Sequence, residues 1–211
     1  MHAIRGLFAR DLFIRGLFAL VLIAGLFAGP PASAQLLDLL TAPKTLFDRV
    51  IEARSTRDIF KDNGIVIEVN KLMADLGTLE ASTEIYEQRL LVTGLFDDRE
   101  VFDKFLAGVK KVDGVKKLYW HVGFMSEQDQ EKNKETLLGW GAALALDTKV
   151  GLNLVATRGV ADVNFRVAVD AFGAVYLIGR ARSEEELKKA LKAARETEDV
   201  KKVVNYVEVR P

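Results

Sequence analysis

The sequence predicts an α+β fold made of two tandem αββαβ modules, each a three-stranded mixed sheet with helices packed on one face. Three observations carry this. Residues 94–124 run in register with residues 179–209, 85 positions further on, so one unit occurs twice. Within each copy, apolar residues alternate with period two in some stretches and recur at i, i+3, i+4 and i+7 in others, the marks of half-buried strands and of amphipathic helices. Only two copies are present, and a solenoid needs at least three to bury a continuous core, so two small globular modules are expected.

The second copy shows each element most clearly. Val163, Phe165, Val167 and Val169 alternate with more polar neighbours as a first strand, and Gly173 marks the turn because it tolerates positive φ. Val175 to Ile178 form a second strand that closes at Gly179. Ser183 and Glu186 make an S-x-x-E capping box. Leu187, Ala190, Leu191 and Ala194 give the following helix one apolar stripe, with Glu184 to Lys188 and Glu185 to Lys189 as i, i+4 pairs on its wet side. Val203, Asn205, Val207 and Val209 alternate as the last strand.

The first copy repeats this with Asp98 in place of Ser183, a bulkier stripe of Phe102, Phe105, Leu106 and Val109, and Leu118, Trp120, Val122 and Phe124 on the last strand. Leu79, Ala81, Thr83 and Ile85 match the first strand only if the offset falls to 84, which places a one-residue length difference in the hairpin.

Residues 1–34 read as a secretory leader. Arg5, Arg10 and Arg15 precede an apolar run of fourteen residues, Gly16 to Gly29, and Ala32-Ser33-Ala34 offers a small-x-small cleavage pattern. Fourteen apolar residues fall short of the roughly 20 that a spanning helix needs. Export to the periplasm of a Gram-negative bacterium is therefore expected. Residues 35–54 form an N-terminal arm, 55–124 the first module, 125–136 a polar linker and 137–211 the second module. The arm carries Leu36, Leu37, Leu39, Leu40, Leu46, Phe47, Val50 and Ile51, interrupted by Pro43, and is expected to dock on a module.

Composition excludes several activities. Without the leader, 30 − 3 = 27 basic and 30 − 1 = 29 acidic side chains remain, so no basic excess favours nucleic acid. The chain contains no cysteine, which removes disulfides, thiolate metal sites and thiol nucleophiles. His121 is the one histidine beyond the leader and reads as a strand-face side chain. Gly139-Trp140-Gly141 begins a G-x-G-x-x-G pattern, but Leu144 occupies the third glycine position. No catalytic residue, metal site or cofactor is expected.

A binding surface is the better expectation. Leu137, Trp140 and Leu144 fall at i, i+3 and i+7 of the helix expected to open the second module, with Lys134 before them and Lys149 after. Tryptophan suits a membrane interface because its ring is apolar while its N–H seeks water. Core packing of the same stripe is the competing reading.

The alternating strand, the glycine turn, Val175-Tyr176-Leu177-x-Gly179 and the acidic-x-Val-x-x-Val end at 198–203 together resemble the BON domain. The first copy carries similar marks in Leu90 to Gly94 and Asp113 to Leu118, although Glu87-Gln88-Arg89 lacks the turn glycine. This resemblance implies a dual-BON periplasmic protein of envelope integrity or osmotic stress, binding anionic phospholipid. On that implication Leu137, Trp140, Leu144 and Lys149 are the candidate lipid-binding residues, and the partners are an anionic phospholipid surface or envelope proteins. A chaperone-like protein that binds other polypeptides is the alternative. Oligomeric state is left open.

Overall fold

A computed structural model of the chain describes residues 52–211; the leader and all but the end of the N-terminal arm lie outside the described residues. The elements in order are α1 (Thr56–Asp75), β1 (Ala81–Tyr86), β2 (Arg89–Phe96), α2 (Arg99–Val109), β3 (Lys117–Phe124), α3 (Glu127–Lys132), α4 (Trp140–Ala156), a 3-10 turn (Asp162–Asn164), β4 (Phe165–Val169), β5 (Ala174–Ala181), α5 (Glu184–Arg195) and β6 (Lys202–Val209). The protein is thus α+β with two three-stranded mixed sheets. In each sheet the hairpin pair is antiparallel and the second and third strands run parallel: β1-β2-β3 in one, β4-β5-β6 in the other.

Local chemistry sets the helix ends. The Ser55 hydroxyl accepts from Asp58 N, and the Asp98 carboxylate accepts from Glu100 N and Val101 N. Ser183 accepts from Glu186 N, but the Glu186 carboxylate does not complete the expected box: it reaches Arg182 N and Ala161 N instead, tying the start of α5 to the segment before β4.

Pairing fixes the offset between copies. Ala81 faces Gly94 and Phe165 faces Gly179, so the first strands differ by 84 positions and the second by 85. The extra residue lies in the hairpin, as the sequence indicates. Both glycines are demanded by close approach: a Cβ at Gly94 would strike the Glu80 carbonyl oxygen, and one at Gly179 the Asn164 carbonyl oxygen. Three details differ from expectation. Leu79 stays exposed outside β1, Val163 belongs to the 3-10 turn rather than to β4, and the polar stretch 125–136 contains α3, capped by Ser126. The first two follow from a strand starting only where its ladder partner does.

Two apolar cores lie between helices and sheets. In the first, Ile65, Val69 and Met73 of α1 and Phe105 and Val109 of α2 cover Leu90, Val92, Phe96 and Val122. The stacked Phe96 and Phe105 rings lie 5.4 Å apart. In the second, Leu146, Val150 and Leu154 of α4 and Leu187, Ala190 and Ala194 of α5 cover Phe165, Val175, Leu177 and Val207.

Strand residues of the opposite parity form a third layer in which the sheets face each other: Tyr86 and Leu91 meet Ala168, Tyr176 and Ile178, flanked by Tyr119, Val204 and Tyr206. Tyr119 and Tyr206 stack at 3.9 Å. Several polar groups pair across this layer. Arg89 donates to the Tyr206 and Gly179 carbonyls at 2.8 and 2.6 Å, and the Tyr86 hydroxyl donates to Asn164 Oδ1 at 3.1 Å. The two repeats therefore form one packed body.

Candidate functional site

Helix α4 differs from the other helices in being apolar nearly all round. Its inner side buries Leu146, Val150 and Leu154, as an amphipathic helix would. Its outer side carries Trp140, Leu144 and Leu152, which are 63%, 51% and 61% exposed. At about 100° per residue, these three share an outward sector with Gly141 and Thr148, and no charged residue interrupts it. A helix apolar on every side is normally buried on every side. Among the described residues nothing covers this sector.

Two openings flank it. On one side a small cleft of about 50 Å³ is lined by Trp140, Ala143, Leu144 and Asp147 of α4, Ser82 and Glu84 of β1, and Val167 to Val169 of β4. On the other an open groove of about 530 Å³ includes Leu137, Leu138, Ala142, Leu146, Lys149 and Val200 in its wall. The four residues expected from the sequence are thus split. Trp140 and Leu144 share the cleft and the outward sector, whereas Leu137 and Lys149 line the groove. Leu137 also precedes the helix, which starts at Trp140 behind Gly139 as N-cap. Lys149 is paired with Asp199 at 2.9 Å and with Glu198 at 3.7 Å, which raises its pKa and occupies its charge.

Sequence reasoning missed three residues of this region. Leu152 lies two turns beyond Leu144 on the same face, and extending the i, i+4, i+8 spacing would have found it. Glu84 and Asp147 carry no local signal, because they come from different repeats and meet only in the fold. Burial pushes the Glu84 carboxyl up to about 8, with the Asp147 charge adding to the shift and Arg166 opposing it. Burial alone raises Asp147 to about 6, and its Oδ1 has no hydrogen-bond partner.

His121 lies on the strand face between the sheets, its Nε2 2.7 Å from the Tyr206 hydroxyl and its ring 4.2 Å from that of Tyr176. Burial lowers its pKa, and the Asp170 charge acts in the opposite direction. Among the described residues no group of three or more His, Cys, Asp or Glu could hold a metal ion, and no helix is long and apolar enough to cross a membrane.

Comparison with known proteins adds four findings. A protein of Anaplasma centrale described as "Uncharacterized protein in gshII 5'region" is 27% identical over 150 residues, which covers 71% of this chain and 95% of that one. Among solved structures, the Type III secretion system structural protein CdsD of Chlamydia trachomatis aligns at a TM-score of 0.28 and 13% identity, over 70% of this chain and 92% of that one. Its C-terminal domain aligns at a TM-score of 0.27 and 12% identity, over 70% and 98%. Scores this low bear on neither fold nor function. The family model described as BON domain matches residues 144–211, from the second turn of α4 through β6 to Pro211, so a BON domain is found over those residues.

Proposed function

We propose that this chain is a non-catalytic, exported envelope protein with two BON-type modules that binds anionic phospholipid surfaces through the outward face of α4. BON domains are associated with envelope and phospholipid-binding proteins and are generally non-catalytic. The observation that carries the reading is the uncharged sector of Trp140, Leu144 and Leu152. Three large apolar side chains in one exposed row fit insertion at the headgroup boundary, where Trp is favoured and buried apolar area drives binding. Because Lys149 is held by Asp199, insertion rather than cation–phosphate pairing supplies most of the affinity.

Co-sedimentation with phosphatidylglycerol vesicles tests this. Trp140→Glu places a charge in the insertion face and is expected to weaken binding at least about tenfold, since the Trp transfer term is lost and a carboxylate must be desolvated. Far-UV circular dichroism should stay unchanged, because the side chain is exposed. Equal binding of both proteins would discard the assignment. Suppression of client aggregation by a protein without vesicle affinity would favour the chaperone alternative.

A further inference from the structure

We propose that Glu84 and Asp147, one from each repeat, form an acid-sensing pair that sets the strength with which the α4 face engages an anionic membrane. The inference rests on the lipid reading above and adds its regulation. Both carboxyl groups line the cleft whose outer lip is Trp140 and Leu144. They reach it from different elements: Glu84 from the edge strand β1 and Asp147 from α4. Asp147 Oδ1 is buried without a partner, so at that oxygen the ionised form lacks the hydrogen bonds that usually stabilise a carboxylate.

The charged surroundings are few. On β4, Arg166 acts on Glu84, but its guanidinium is also held by the Val163 and Phe165 carbonyls at 2.9 and 3.0 Å and lies 3.7 Å from Glu52. On β1 the neighbouring cleft residue is Ser82, which carries no charge, and on α4 the cleft holds no cation. Lys149 lies on the other side of the helix with Asp199. Two carboxylates therefore share one cleft, and the cation that acts on Glu84 is partly occupied elsewhere.

The sign follows from the direction of the shifts. Both groups lose protons more reluctantly than in water, so they are neutral in acid and become anionic as pH rises through about 6 for Asp147 and about 8 for Glu84. Neutral, they leave the insertion face uncharged. Ionised, they put up to two negative charges beside Trp140, which an anionic surface repels and the headgroup region cannot solvate cheaply. Each charge near such a surface changes binding by about fivefold. The phosphodiester of phosphatidylglycerol stays ionised throughout, so the change belongs to the protein.

Two measurements test this. In a Trp120→Phe background Trp140 is the remaining tryptophan, and its emission without lipid is expected to show a transition between about pH 5 and about pH 9. That transition should be absent when Glu84→Gln and Asp147→Asn are combined. Binding to equimolar phosphatidylglycerol and phosphatidylcholine vesicles should fall at least about fivefold over the same interval in the unsubstituted chain. It should stay constant in the double variant, and Asp147→Asn alone should remove the lower part of the change. A flat emission profile, or vesicle binding as tight at about pH 9 as at about pH 5, overturns the regulation while leaving the lipid reading intact. Absence of vesicle binding at every pH overturns the lipid reading and the regulation together.

Discussion

The same position in the two repeats is occupied by aspartate, yet Asp62 and Asp147 do opposite things. They are 85 residues apart, in register with the buried pairs Ile65 and Val150, and Val69 and Leu154. Asp62 is completely buried and fully used: it accepts from Glu87 N at 2.9 Å, Gln88 N at 2.7 Å and Gln88 Nε2 at 2.8 Å, and pairs with Arg54 at 3.0 Å. Those bonds hold a two-residue turn in which Glu87 and Gln88 both have positive φ, at 52° and 64°. This conformation costs about 1–2 kcal/mol per non-glycine residue. The buried carboxylate makes the turn possible without glycine. In the second repeat the loop is one residue longer, Gly173 takes the positive φ, and Asp170 within the loop accepts from Phe172 N and Ala174 N. Asp147 is thereby relieved of the turn and left facing the cleft.

One inserted residue thus separates an acid that holds a turn from one that lines a cleft. Copies of a fold can share a side chain while the length of a distant loop decides its role.

Several substitutions would break or sharpen this contrast. The largest effect is expected for Asp62→Ala, which leaves Arg54 with Glu52 as its carboxylate partner but strands three N–H donors in the interior, at about 1–3 kcal/mol each. Urea unfolding would show it as a lower midpoint, and a loss below about 1 kcal/mol would contradict the assigned role. Gly179→Ala should follow at about 1–3 kcal/mol, because β5 must shift away from the Asn164 carbonyl. Smallest is Asp147→Asn. The native carboxyl is raised above its ordinary 3.8 to about 6, so its stability contribution is full below about pH 4 and is lost as pH rises toward 6. The amide removes that loss, so the variant should gain on the order of 1 kcal/mol at neutral pH and match the parent near pH 4. A parallel pH profile for the two proteins would place Asp147 outside the titrating set.

Much of the fold was legible because it depends on local periodicity. Alternation in Val203 to Val209 and Leu118 to Phe124 marked the helix-covered faces. Glycines ending matched strands marked the two close approaches, and the change of offset from 85 to 84 located the hairpin insertion. The face between the sheets was not read, although its signal is present. Arg89 to Phe96 and Ala174 to Ala181 are apolar on both parities, and a strand apolar on both faces is covered on both. That rule would have set Leu91, Tyr176 and Ile178 aside as a second buried layer. Of the expected site, Trp140 and Leu144 share a surface. Leu137 and Lys149 line a different groove, since Leu137 precedes the helix start at Trp140 and Lys149 lies on the other side of the helix.

By itself, then, the sequence determined the repeat, the parity of the strands, the helix caps and the demand for glycine at 94 and 179, because each is set by neighbours within a few residues or by one strand pair. Tertiary structure decided which faces the sheets turn to each other, which of two equivalent aspartates is satisfied, and that Glu84 and Asp147 share a cleft under Trp140. Those outcomes depend on contacts between residues far apart in the chain, where side-chain pattern carries no record of distance or orientation.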